Sequence, residues 1–174
     1  MKTYPIHSPH FFTATIYEWK HLLSSDKYKN IIIDSLKFLV DDKRIILNAF
    51  VIMNNHIHLI WQPTFDFAPS DIQASFMKYT AQQLKRHLII SNGKEWLESF
   101  KVNKYDRAYQ IWKRESLSIE LVTPPVFSQK LKYIHSNPVR AGLCIHPQEY
   151  YYSSAKYYYD GIDNFGILTH VSGN

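Results

Sequence analysis

The chain has 174 residues, a formal net charge of +5 and 45% hydrophobic residues, with only 5 Gly and 8 Pro. That suits one compact domain spanning 1–174 and excludes a disordered, fibrous or linker-rich chain. A single cysteine, Cys144, excludes an internal disulfide and any Cys-x-x-Cys zinc site. No stretch of about 18 apolar residues supports a membrane span. Residues 1–7 lack the apolar core and cleavage site of a signal peptide. A cytoplasmic protein without a membrane partner is expected.

In chain order, residues 11–17 are aromatic and β-branched and predict a first strand. Asp26 is expected to cap a helix running to about Val40, with Ile32, Leu36 and Leu39 at i, i+4 and i+7. Residues 45–53 are almost continuously apolar, as in a buried strand. Asn54-Asn55 tolerate a tight turn, and residues 56–62 return as the partner strand before Pro63. Ser70 is expected to cap the next helix, which extends to about Ile90 on a stripe of Phe76, Met77, Thr80, Leu84 and Leu88. Residues 92–107 have no clear period. Residues 109–112 and 119–122 predict two further strands. Thr123-Pro124-Pro125 then opens a helix buried through Phe127, Leu131 and Ile134, which Asn137-Pro138 is expected to end. A C-terminal extension covers about 137–174. The β-α-β-β-α-β order predicts an α+β, ferredoxin-like (RRM-like) antiparallel sheet with packed helices.

Charge is concentrated. Residues 78–114 hold nine Lys and Arg against three Asp and Glu, more than the whole excess of the chain. Such a segment fits a polyanion, most readily nucleic acid; a solvated basic face accounts for the charge equally well.

The chemistry-bearing residues start with His56-Ile57-His58. Alternation along a strand puts both imidazoles on one face, with Cβ atoms roughly 6–7 Å apart, close enough to share one metal ion. A plain solvated strand face also fits this pair. On the following helix, Tyr79 and Gln83 lie one turn apart on one face, with Arg86 continuing the row. A helix packed across the sheet would bring a phenol and an amide oxygen toward the histidines. Mixed imidazole and oxygen donors suit Mg²⁺ or Mn²⁺. Equally, Tyr79 fits a core-edge aromatic and Gln83 an ordinary surface residue.

On these residues the sequence resembles a known family. Phe50-Val51-Ile52-Met53-Asn54-Asn55-His56-Ile57-His58-Leu59-Ile60 resembles the His-hydrophobe-His (HUH) strand of single-tyrosine transposases, with Asn54 where proline is frequent. Tyr79-Thr80-Ala81-Gln82-Gln83 is similar to that family's nucleophile helix. Tyr133-Ile134-His135-Ser136-Asn137-Pro138-Val139-Arg140-Ala141-Gly142 is close to the "YIHxNPVRAG" signature. His146-Pro147-Gln148-Glu149-Tyr150 and Ser153-Ser154-Ala155 resemble the ending of the REP-associated tyrosine transposase branch.

The resemblance, over residues 11–158, implies an HUH nuclease fold that cleaves and joins single-stranded or hairpin DNA. It implies a divalent ion (Mg²⁺ or Mn²⁺) on His56, His58 and Gln83, and Tyr79 as nucleophile forming a 5′-phosphotyrosine. Lys78, Lys85 and Arg86 would meet backbone phosphates. Arg114, Arg140 and Trp112 are further candidates for DNA contact, with core packing the alternative for Trp112 and a structural tie for Arg140. The implied assembly is a monomer or a homodimer. The competing reading is a catalytically inactive, domesticated DNA-hairpin-binding protein. A histidine-triad hydrolase is excluded because alternate positions 54 and 60 are Asn and Ile.

Overall fold

The apolar pattern resolves into strands and helices in a computed structural model describing residues 7–64, 66–91 and 93–171. The expectation for residues 1–6 lies outside these residues, as do Asn92 of the basic segment and 172–174 of the C-terminal extension. Strand β1 (His10–Thr15) leads through two single 3₁₀ turns into helix α1 (Asp26–Asp41), strand β2 (Ile45–Ile52) and strand β3 (His56–Pro63). Helix α2 (Pro69–Ile90), short helix α3 (Lys94–Ser99) and strands β4 (Lys101–Lys104), β5 (Arg107–Tyr109) and β6 (Leu117–Glu120) follow. Helix α4 (Pro124–Arg140) and short helix α5 (Ala155–Asp160) complete the order.

The main sheet is antiparallel throughout, in the order β2-β3-β1-β6, while β4 and β5 form a separate ribbon. This is the ferredoxin-like arrangement, and its path decides what covers each face. The β1-α1-β2 and β3-α2-β6 crossovers, right-handed as such connections are, put both helices on the same side. There Ile32, Leu36, Phe76, Leu84 and Leu88 pack with Phe12, Ile57, Leu59 and Trp61. Each fully buried side chain of this size contributes on the order of 1.5–3 kcal/mol. The other face carries Phe11, Val51, Met53 and Ile60, and α4 lies over it through Phe127 and Ile134.

A bulge between Leu47 and Ala49 reconciles β2 with both layers. Ile45 and Leu47 join the α1/α2 core, and past the extra residue Phe50 and Ile52 do so, which hands Ala49, Val51 and Met53 to the α4 side. The C-terminal segment then covers the outer edge of β2. Ile52 N–H donates to Tyr152 C=O, Ser154 N–H to Phe50 C=O and Thr169 N–H to Leu47 C=O, all at 2.9 Å. An edge so paired offers no template for another strand.

Several expected boundaries move. Ser25, not Asp26, stands at the N-cap of α1, and Asp26 sits in the first turn, where a carboxylate meets the positive helix end. Helix α2 starts one residue before Ser70, with Pro69 in its first turn and Ala68 at the cap position. The aperiodic stretch after Ile90 contains α3 and the β4-β5 ribbon. The Asn137-Pro138 pair does not end α4; Pro138 is inside it and the helix runs on to Arg140. Its true stop is a Schellman turn, in which Leu143 N–H donates to Pro138 C=O (2.9 Å) and Gly142 N–H to Val139 C=O (3.0 Å). Gly142 supplies the positive φ of 71° that this turn demands.

Candidate active site

Strand alternation fixes where the two imidazoles go. Ile57 and Leu59 enter the α1/α2 core, so His56 and His58 face α4. His58 is buried (5% exposed) beneath Phe11, whose ring stacks on it at 5.4 Å, and lies 4.8 Å from the His56 ring. Thr13, its cross-strand neighbour on β1, holds Nδ1 at 2.7 Å through Oγ1. That leaves Nε2 buried and without a hydrogen-bond partner. Asn55 Oδ1 similarly holds His56 Nδ1 at 2.7 Å.

Burial, reinforced by the neighbouring His56 and by the positive charges of Arg140 and Lys130, holds the His58 imidazole down at about 3. Burial also lowers His56, opposed by the neighbouring Asn137 side chain. Both rings are therefore neutral at neutral pH, with lone pairs available for a ligand.

Helix α4 supplies what faces them. The Tyr133 ring stands edge-on to His58 at 5.2 Å and to Phe11 at 6.0 Å. One turn later Asn137 lies buried beside His56, its Nδ2 unpartnered. Arg140 lies 4.6 Å over the Tyr133 ring, and Lys130 sits 4.8 Å over Phe11. An open cavity of about 420 Å³ reaches this cluster, bounded by His21, Asn55, His56, Asn137 and Arg140. Among the described residues no three His, Cys, Asp or Glu side chains come together. Two neutral imidazoles, one with an orphaned nitrogen, and a buried carboxamide nevertheless fit a hard divalent cation.

The expected partners from α2 are not here. Tyr79 is half exposed and lines a groove between α1 and α2 with Phe38, Leu39, Arg44 and Phe76, beyond the opposite face of the sheet. Gln83 is one turn along the same helix. The convergence of Tyr79 and Gln83 with His56 and His58 is thus corrected: the sheet lies between the two pairs, and α2 is bound to the face lined by Ile57 and Leu59. The Tyr133 and Asn137 pair repeats the same four-residue spacing on the helix that does cover the histidines.

The predicted DNA-contacting residues separate into two places. Arg140 is exposed beside the histidine cavity. Lys78 and Arg114 line a second cavity, of about 280 Å³, with Arg107 and Lys113. Lys85 lies 4.6 Å over the Tyr109 ring, and Arg86 is exposed on α2. Trp112 is buried, its indole N–H donating to Thr80 Oγ1 at 2.9 Å, so it packs in the core.

Comparison with known proteins bears on this arrangement. The family described as Transposase IS200 like matches residues 4–114, which is most of the chain. The chain belongs to that transposase family. The matched region carries the His-x-His strand of this transposase-family protein, while α4 lies beyond it. Its fold is similar over the whole chain to a REP-associated tyrosine transposase solved with a REP hairpin. The TM-score there is 0.65 and the identity 18%, covering 100% of this chain and 94% of the other. A Deinococcus radiodurans protein described as a transposase candidate is similar at a TM-score of 0.50 and 15% identity, covering 77% of this chain and 95% of that one. No curated protein matches.

Proposed function

We propose that this transposase-family protein cleaves and rejoins single-stranded or hairpin DNA, with Tyr133 as the nucleophile. The observation that carries the reading is the meeting of Tyr133 with His58, 5.2 Å from ring to ring, on the covered face of the sheet that also carries His56. His56, His58 and Asn137 would hold a divalent cation, Mg²⁺ or Mn²⁺. Bound there, the cation would supply Lewis-acid polarisation of the scissile phosphate. The Tyr133 oxygen attacks phosphorus, the bond from phosphorus to the 3′ oxygen breaks, and that oxygen leaves with a proton as a 3′-hydroxyl. The 5′-phosphotyrosine keeps the phosphodiester linkage in reactive form, so attack by another 3′-hydroxyl reverses the step without ATP.

Other residues of the chain do the positioning. Thr13 and Asn55 orient the imidazoles, and Phe11 with Arg140 and Lys130 hold the phenol ring at its station. Arg140, beside the open cavity, is the natural partner for a backbone phosphate. The likeness to a REP-associated enzyme solved with a hairpin supports assignment to that branch and a hairpin substrate.

The test is to trap a covalent adduct between the protein and labelled hairpin DNA carrying a single-stranded flank, in the presence of Mn²⁺. The wild-type protein and Tyr79→Phe are expected to form it, and Tyr133→Phe to lose it while still binding DNA. An adduct that persists in Tyr133→Phe but vanishes in Tyr79→Phe would return the nucleophile to α2. Binding with no adduct from the wild-type protein would leave a protein that holds DNA without cutting it.

A further inference from the structure

The turn between β1 and α1 is strained without a glycine to explain it. Glu18 and Trp19 have φ of 53° and 57°, the left-handed region that side chains with a Cβ avoid. Hydrogen bonds hold them there. Trp19 N–H donates to Ile16 C=O at 2.9 Å, and the Asn55 carboxamide donates to Trp19 C=O at 3.2 Å, while Lys20 pairs with Glu18. The outcome is an indole 58% exposed, whereas Trp61 and Trp112 are buried. Strain kept in place to present a large aromatic ring to water is a feature of binding sites more than of packing.

Position gives the ring a specific use. The carboxamide of Asn55 that braces the Trp19 carbonyl is the same group that holds His56 Nδ1, so the backbone of Trp19 adjoins the candidate active site. On its other side Lys113 Nζ lies 5.4 Å from the indole centroid, and Lys113 belongs to the basic cavity with Lys78, Arg107 and Arg114. Trp19 thus links the basic cavity, through Lys113, to the histidines, through Asn55. We propose that Trp19 is a stacking platform for a base of an unpaired strand running between them, with Lys113 beside it for the adjoining phosphate. It would select an unpaired flank over closed duplex, because only an unpaired base has a free face to stack. This rests on the reading of the histidine cluster as the site of DNA strand transfer.

The experiment measures affinity for a hairpin with a single-stranded flank, on either end, and for the same hairpin without one. All proteins carry Tyr133→Phe so that none cuts, and the parent is compared with Trp19→Ala and Trp19→Tyr. Loss of one stacking contact is expected to weaken binding of the flanked hairpin by about 5- to 100-fold in Trp19→Ala. Binding of the blunt hairpin is expected to stay unchanged, and Trp19→Tyr to recover most of the loss. Equal affinity of Trp19→Ala and parent for the flanked hairpin would overturn the assignment to Trp19. So would an equal loss on both hairpins. A parent that does not distinguish flanked from blunt DNA would instead remove the strand-transfer reading on which the inference stands.

Discussion

Thr13 decides which nitrogen of His58 is free. Its hydroxyl at 2.7 Å from Nδ1 occupies that nitrogen and leaves Nε2 buried without a partner. Groups that orient a ligating histidine contribute nearly as much as ligands do. Thr13→Val keeps the shape and removes the hydroxyl, so metal-dependent DNA cleavage is expected to fall about 10- to 100-fold. DNA affinity measured without metal should not change, and a variant as active as wild type would show that packing against Phe11 orients the ring alone. Tyr133 and Tyr79 look alike in the sequence, each followed four residues later by a carboxamide. The discriminating signal was nonetheless present. Ile57 and Leu59 commit one strand face to the core, and right-handed crossovers put α2 on that face. The histidines therefore required a covering element from elsewhere in the chain.

At the scale of elements, α4 is the part that covers the histidines, and its attachment can be tested. Its inner side holds Tyr133 and Asn137 to the histidines, and His135 ties it to the tail that covers β2. The His135 ring meets Ser154 Oγ at 2.9 Å, and Ser154 in turn accepts Phe50 N–H at 3.0 Å. Burial holds His135 down at about 4. The unfolded chain takes up a proton near the ordinary histidine value of about 6.5, and the folded chain does not until about 4. Stability from this group is therefore full above pH 6.5 and declines as pH falls toward 4, by roughly 2–3 kcal/mol. Denaturant unfolding between pH 7 and pH 4.5 should show a shallower decline for His135→Gln than for wild type. Parallel profiles would mean that the ring is accessible to protons in the folded protein. The same element shows why proline misleads as a stop signal. Pro138 lacks an N–H, yet the turn is closed after it by Leu143 and Gly142, so the helix reaches Arg140.

For the molecule as a whole, the sheet separates two surfaces with different duties. One carries the histidines under α4. The other holds α1 and α2, with Lys78, Arg107, Lys113 and Arg114 gathered around one cavity beside α2. Several phosphates met by Lys78, Arg107, Lys113 and Arg114 would make DNA affinity fall steeply with salt. Each phosphate neutralised contributes about one unit to the slope of log K against log salt. The double variant Lys78→Gln, Arg114→Gln is expected to bind more weakly by a similar factor on all sequences and to lower that slope by about two. A slope unaltered by the double change would mean that these charges are only a solvated surface. Among the described residues no helix is long and apolar enough to cross a membrane.

Read alone, the sequence determined the ferredoxin-like path, the hairpin of β2 and β3, the sharing of one face by His56 and His58, and the basic character of residues 78–114. These are local properties: period, turn chemistry and charge reside in neighbouring residues. Tertiary structure decided which helix faces the histidines, and so moved the phenol and the carboxamide from Tyr79 and Gln83 to Tyr133 and Asn137. It also decided that Trp112 is buried and Trp19 exposed. The physical reason is that a helix of either sequence presents the same spacing, whereas only the packed sheet, whose histidines lie some 75 residues before Tyr133 in the chain, defines which side it covers.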